Sequence, residues 1–148
     1  MTTTTRHKHQ PPAWVTEHLD ATRYNAWLRR KAEGMCRRDY ERGGSYTVSE
    51  AKTAIHDAIV ASEGRDYWTG EPLRWDLLGN YDSDESSRQG AAYKRARSMQ
   101  PSIDLRNSLP VCDFVICAWR TNDAKSDMSI EELKALCNLV LIHNRCLA

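Results

Sequence analysis

At 148 residues and 41% hydrophobic content, the chain has material for one domain with a sizeable core and no room for a second. Its 21 basic and 20 acidic residues leave a formal net charge of +1, so any nucleic-acid footprint must come from local clustering rather than net charge. No apolar run reaches the length of a membrane span, and the start, MTTTTRHKH, lacks the hydrophobic centre of a signal peptide, which predicts a cytoplasmic protein without membrane contact.

Residues 1–12 read as a disordered polar tail, with no function placed on His7 or His9. Residues 13–148 read as a single domain, helical over 13–64. Between about 12 and 42, Trp14, Val15, Leu19, Tyr24, Trp27, Leu28 and Met35 recur at mostly helical steps. Arg23, Arg29, Arg30, Lys31, Arg37 and Arg38 stand between them, either as a phosphate-contacting arm or as a solvated face balanced by Glu33, Asp39 and Glu41. Gly43-Gly44 closes this segment. Ser49 then reads as the N-cap of a second helix to about Glu63, burying Ala51, Ala54, Ile55, Ala58 and Ile59 and stopping at Gly64. His56 lies at the edge of that face, where a structural role outweighs a catalytic one.

The word YWTGEPL at 67–73 predicts a strand and tight turn, and the acidic, small-residue stretch at 80–90 predicts a mobile loop. A short basic helical piece at 91–98 carries Lys94, Arg95 and Arg97. The runs at 102–105 and 113–119 predict a β-hairpin. Ser129 with Glu132 forms a capping-box pattern that opens a last helix, with Leu133, Leu136, Cys137, Val140 and Leu141 at helical spacing. Five cysteines without a CxxC pair argue against a disulfide framework and a four-cysteine zinc site, and Cys117 and Cys137 read as small core residues.

Three separated words, YWTGEPL, PSIDL at 101–105 and FVICAWRTNDAKSDMS at 114–129, give the second half of the chain a further reading. Here it resembles the HNH (ββα-metal, His-Me finger) endonuclease superfamily, and within it a bacterial and phage subgroup carrying YTGEPL, PTVDH or PSIDR, and FVICAWRTNDAKSDMS words. The resemblance implies an α+β fold in which N-terminal helices pack on a compact ββα-metal unit over residues 65–148. It implies Asp104 and Asn122 as ligands of one Mg²⁺ or Mn²⁺, with no structural zinc. Leu105 falls at the general-base position, and Asp113 falls where an amide would orient that base. Arg106, next to Leu105, is a poor base and is better suited to phosphate. Lys94, Arg95, Arg97, Arg120 and Lys125 are the candidates to hold phosphate, the alternatives being a charged solvated turn at 94–97 and a turn and capping pair at Asn122-Asp123. The implied function is a metal-dependent endonuclease acting on nucleic acid, DNA first, with weak or no activity. The alternative is a degenerate module, derived from such a nuclease, that binds nucleic acid or a protein partner without cutting. A metal-ligand carboxylate at a strand end is expected to lie near water, so that its loss leaves the fold intact.

Overall fold

A computed structural model describes residues 7–145 and gives a mixed α+β chain, with seven α-helices and one two-stranded antiparallel sheet among those residues. After a short helix α1 (Ala13–Thr16), α2 (Ala21–Tyr40) starts where the Asp20 carboxylate accepts a hydrogen bond from the Arg23 N–H at 2.8 Å. Tyr24, Trp27, Leu28, Ala32 and Met35 form its buried stripe, as the spacing predicts. The second long helix, α3 (Val48–Ser62), is capped by Thr47 rather than Ser49. Thr47 and Glu50 close a full capping box, which satisfies two otherwise orphaned donors, and a single Ser49 cap cannot do that. Helix α3 ends at Glu63, held at φ 49°, and buries Ala51, Ile55 and Ile59.

Gly44 is needed between the two helices. Its N–H donates to the Asp39 carbonyl at 2.8 Å, and a Cβ there would meet the Pro110 carbonyl oxygen at 2.6 Å.

The tail expectation fails at its inner end, since His9 is buried. Its Nε2 shares a hydrogen bond with Thr53 Oγ1, and its carbonyl accepts from the Asn25 amide at 2.9 Å. Residues 1–6 lie outside the described residues.

The 67–73 segment forms a turn with one antiparallel bridge, Arg65 to Pro72, instead of a strand. The expected loop at 80–90 is mostly helix, α4 (Ser83–Gln89), because the Asp82 carboxylate accepts from the Asp84 and Glu85 N–H groups and the acidic first turn suits the helix dipole. The basic piece is α5 (Ala91–Ala96).

The hairpin forms as read, with β1 (Pro101–Leu105) paired to β2 (Phe114–Ala118) in the register Pro101 to Ala118 and Leu105 to Phe114. All of β2 is buried, and it packs on α3. The second run stops at Ala118, where α6 (Trp119–Lys125) begins, so Asn122 lies inside a helix that crosses back over both strands. The capping box predicted at Ser129 and Glu132 is present and opens α7 (Ile130–Arg145). None of α7 is buried; Cys137, expected in the core, is exposed, whereas Cys117 is buried as expected.

Candidate functional site

The Asp104 side chain on strand β1 meets Lys125 of α6, and this residue is 6% exposed. Its expected position near water is therefore corrected. Lys125, at the last position of α6, lies across from it with Nζ 3.1 Å from Oδ2 and 3.3 Å from Oδ1. The same ammonium donates to Ser108 Oγ at 3.2 Å and lies 5.8 Å from the centroid of the Trp68 ring. The Trp68 indole N–H donates to Asp104 Oδ2 at 3.0 Å. A buried ammonium and a buried carboxylate persist only when each has the other and further hydrogen bonds, and both conditions hold.

Asn122 lies one turn before Lys125. Its amide Nδ2 donates to Ser102 Oγ at 2.8 Å and to the Ile103 carbonyl at 3.3 Å, which locks α6 onto β1. Leu105 is 5% exposed and belongs to the apolar core with Ile103 and Phe114, so the position expected for a base holds a packing residue with no proton acceptor. Arg106 Nε donates to Asp113 Oδ1 at 3.0 Å and its Nη1 to the Tyr67 hydroxyl at 2.7 Å. The hydrogen bond to Asp113 leads the causes that hold the guanidinium in its charged form. Asp113 thus anchors an arginine and does not orient a base.

One open cleft of about 410 Å³ is lined by Asp104, Leu105, Asn122 and Lys125 at its floor and by Arg38 and Arg42 at its rim; Arg106 and Asp113 are not among its lining residues. The rim is fixed by the buried Asp39, whose Oδ1 accepts from Arg38 Nε at 2.9 Å and Arg42 Nη1 at 3.2 Å, while Oδ2 accepts from the Tyr46 hydroxyl. Burial alone would raise the Asp39 carboxyl, but the donors from Arg38, Tyr46 and Arg42 together hold it below its ordinary value. Two serines of the cleft, Ser108 and Ser126, carry positive φ of 58° and 49°.

The residue set does not fit a divalent cation as arranged. Mg²⁺ needs near-octahedral oxygen ligation, and here the Asp104 carboxylate is already neutralised by Lys125, while the second carboxylate of the cleft, Asp127, is exposed. Among the described residues no cluster of three or more His, Cys, Asp or Glu side chains gathers there or elsewhere.

The expected phosphate residues are mostly engaged within the fold. Lys125 is buried on Asp104, Arg97 is buried with Gln100, Asn80 and the Leu77 carbonyl, Arg120 pairs with Glu71, and Lys94 pairs with Asp123. Of the five, Arg95 alone stays exposed without an ion pair among the described residues. His56 lines no part of the cleft. It shares a 2.8 Å hydrogen bond with the Tyr24 hydroxyl and packs 4.9 Å from the His9 ring, as a structural histidine does.

Helix α2 and the turn after it place further basic groups on open space. Arg30 and Lys31 line a second groove of about 520 Å³ with Tyr81, Trp119 and Ser102. The hydrogen bond from Asn122 to Ser102 separates this groove from the first cleft.

Sequence reasoning passed over Asp66, a 2% exposed carboxylate. Oδ1 accepts from the Trp68 and Thr69 N–H groups at 2.7 and 3.1 Å, and Oδ2 accepts from the Ala118 N–H and the Thr121 hydroxyl, both at 2.8 Å. The signal was an Asp just ahead of a turn ending in Gly70, the Asx-turn pattern. By closing the turn it positions Trp68 over Asp104. No protein-family model, curated protein or solved structure matches the chain.

Proposed function

We propose that the chain is an HNH-like module that binds nucleic acid through its phosphates and does not cut it. The observation that carries this reading is the buried Lys125–Asp104 ion pair at the floor of a cleft rimmed by Arg38 and Arg42. An ammonium on Asp104 gives the charge neutralisation that a cation would give, but it does not polarise and activate water, and Leu105 supplies no base. What is left is recognition. The order hairpin then helix, with Asp104 and Asn122 at their junction, supports descent from a ββα unit.

Helix α2 supports the choice of nucleic acid as partner. Arg38 on it and Arg42 just after it border the cleft, and Arg30 and Lys31 line the neighbouring groove, where Tyr81 and Trp119 offer ring faces on which bases can stack. Of the two readings of the basic N-terminal helix, the phosphate-contacting arm is the one adopted.

Fluorescence anisotropy with labelled single-stranded and duplex DNA across a salt series tests the proposal. Arg30→Gln, Lys31→Gln and Arg38→Gln together should lower the slope of log affinity against log salt by roughly 2–3, since each lost phosphate contact removes about 0.9 on a duplex and 0.7 on a single strand. An unchanged slope refutes the assignment of this face. In a plasmid-nicking assay with Mg²⁺ or Mn²⁺ against EDTA the expected result is no cutting; robust metal-dependent nicking would instead establish the phosphodiesterase reading.

A further inference from the structure

Helix α7 leaves the body of the protein directly after its Ser129 cap. Leu133 is half-buried, and every residue from Lys134 to Arg145 is exposed. Leu136, Leu139, Val140, Leu141 and Ile142 are each between 48% and 66% exposed, and among the described residues nothing covers them. A 16-residue helix is about 24 Å long and marginal in water by itself, because helices of this length draw their stability from packing an apolar face. Contiguous apolar surface of this kind marks an interface.

We propose that the occupant is α7 of a second copy of this chain, packed antiparallel about a two-fold axis through the middle of the helix. Glu132, Leu136, Leu139 and His143 follow one another at steps of four, three and four, the spacing of a coiled-coil seam. The row is symmetric about its midpoint. Antiparallel pairing therefore sets Leu136 of one copy against Leu139 of the other and Glu132 against His143, and the same contacts recur by symmetry, as a closed two-fold interface requires. Leu133 and Val140 flank the seam on one side and widen the apolar contact.

Charge selects the direction. The first turn carries Glu131 and Glu132 and the last carries His143 and Arg145. Two copies laid antiparallel bring each acidic turn to a basic one and oppose the helix dipoles, whereas a parallel pair would stack acid on acid. This inference stands on α7 alone and does not depend on the nucleic-acid reading.

Sedimentation velocity on the full chain over a concentration series tests it. Wild type should sediment at twice the chain mass at tens of micromolar, and Leu136→Lys with Leu139→Lys should sediment as a monomer while its circular dichroism stays folded. Wild type that remains monomeric at every concentration overturns the proposal, as does a dimer that survives the double variant. Should the double variant fail to fold, the exposed His143 decides: His143→Lys should dimerise at least tenfold more tightly than His143→Glu, and equal dissociation constants would overturn the antiparallel pairing.

Discussion

Asp66 and Asp104 are both buried carboxylates beside the same hairpin, and they are built for different ends. Asp66 takes four neutral donors and is 2% exposed, so it joins the turn at 66–69 to β2 and α6. Asp104 takes an ammonium and an indole N–H and borders open space. A carboxylate satisfied by neutral donors holds a fold together. One balanced by a buried cation at a cleft can instead shape the potential there, and that difference separates the acid that ties elements together from the acid of the candidate site.

The largest effect should come from breaking the joint. Asp66→Ala orphans four donors, three of them backbone, and at about 1–3 kcal/mol for each buried unsatisfied group it should cost more than about 4 kcal/mol in urea unfolding. A smaller loss would remove Asp66 from that role. Lys125→Ala leaves Asp104 buried without its cation and should cost about 3 kcal/mol, the low end for a broken buried pair because the cleft admits solvent. Little change there would mean that the pair does not seal the cleft floor.

A smaller, pH-dependent effect comes from the histidine pair on the far side of α3. Burial leads the causes that depress both His9 and His56 below the ordinary imidazole value of 6.5; for His9, the His56, Lys52 and Lys8 charges add to it, and Asp57 opposes in both cases. The unfolded chain therefore takes up protons first. Their contribution is complete above pH 6.5 and is lost as pH falls below it toward the folded values, so the melting temperature should drop between pH 7 and 5. In a His9→Gln, His56→Gln variant that drop should flatten, and an unaltered profile would assign the acid sensitivity to other groups. The smallest change expected is at the cleft edge: Ser126→Gly relieves a positive φ of 49° and should stabilise the protein by about 1 kcal/mol without altering affinity.

How far the sequence carried depended on the range of the interaction. The Ser129–Glu132 capping box, the stripe of α2 and the hairpin are local patterns, and all three were legible. The α3 cap lies two residues before the position that Ser49 suggests, because Ser49 looks like a cap in isolation while only Thr47 stands three before a Glu. Helix α4 has no apolar stripe and so lacks the pattern that marks a helix in sequence; the Asp82 cap and a helical turn of charged residues hold it. The site was legible in its residue types and not in its pairing. Lys125 stands three after Asn122, as expected for one helix face, but its burial on Asp104 depends on how α6 crosses β1, which no local pattern encodes. The four donors of Asp66 include Ala118 and Thr121, more than fifty residues away in the chain.

The most direct test of a metal-free, phosphate-binding cleft is the DNA affinity of Asp104→Asn measured by anisotropy in EDTA. The asparagine oxygen still accepts from Lys125, and removing a carboxylate from the cleft leaves Lys125, Arg38 and Arg42 with more net positive charge to offer. Our account predicts that wild type binds in EDTA and that Asp104→Asn binds more tightly. Binding by wild type only when Mg²⁺ or Mn²⁺ is present, together with its loss in Asp104→Asn, would contradict it.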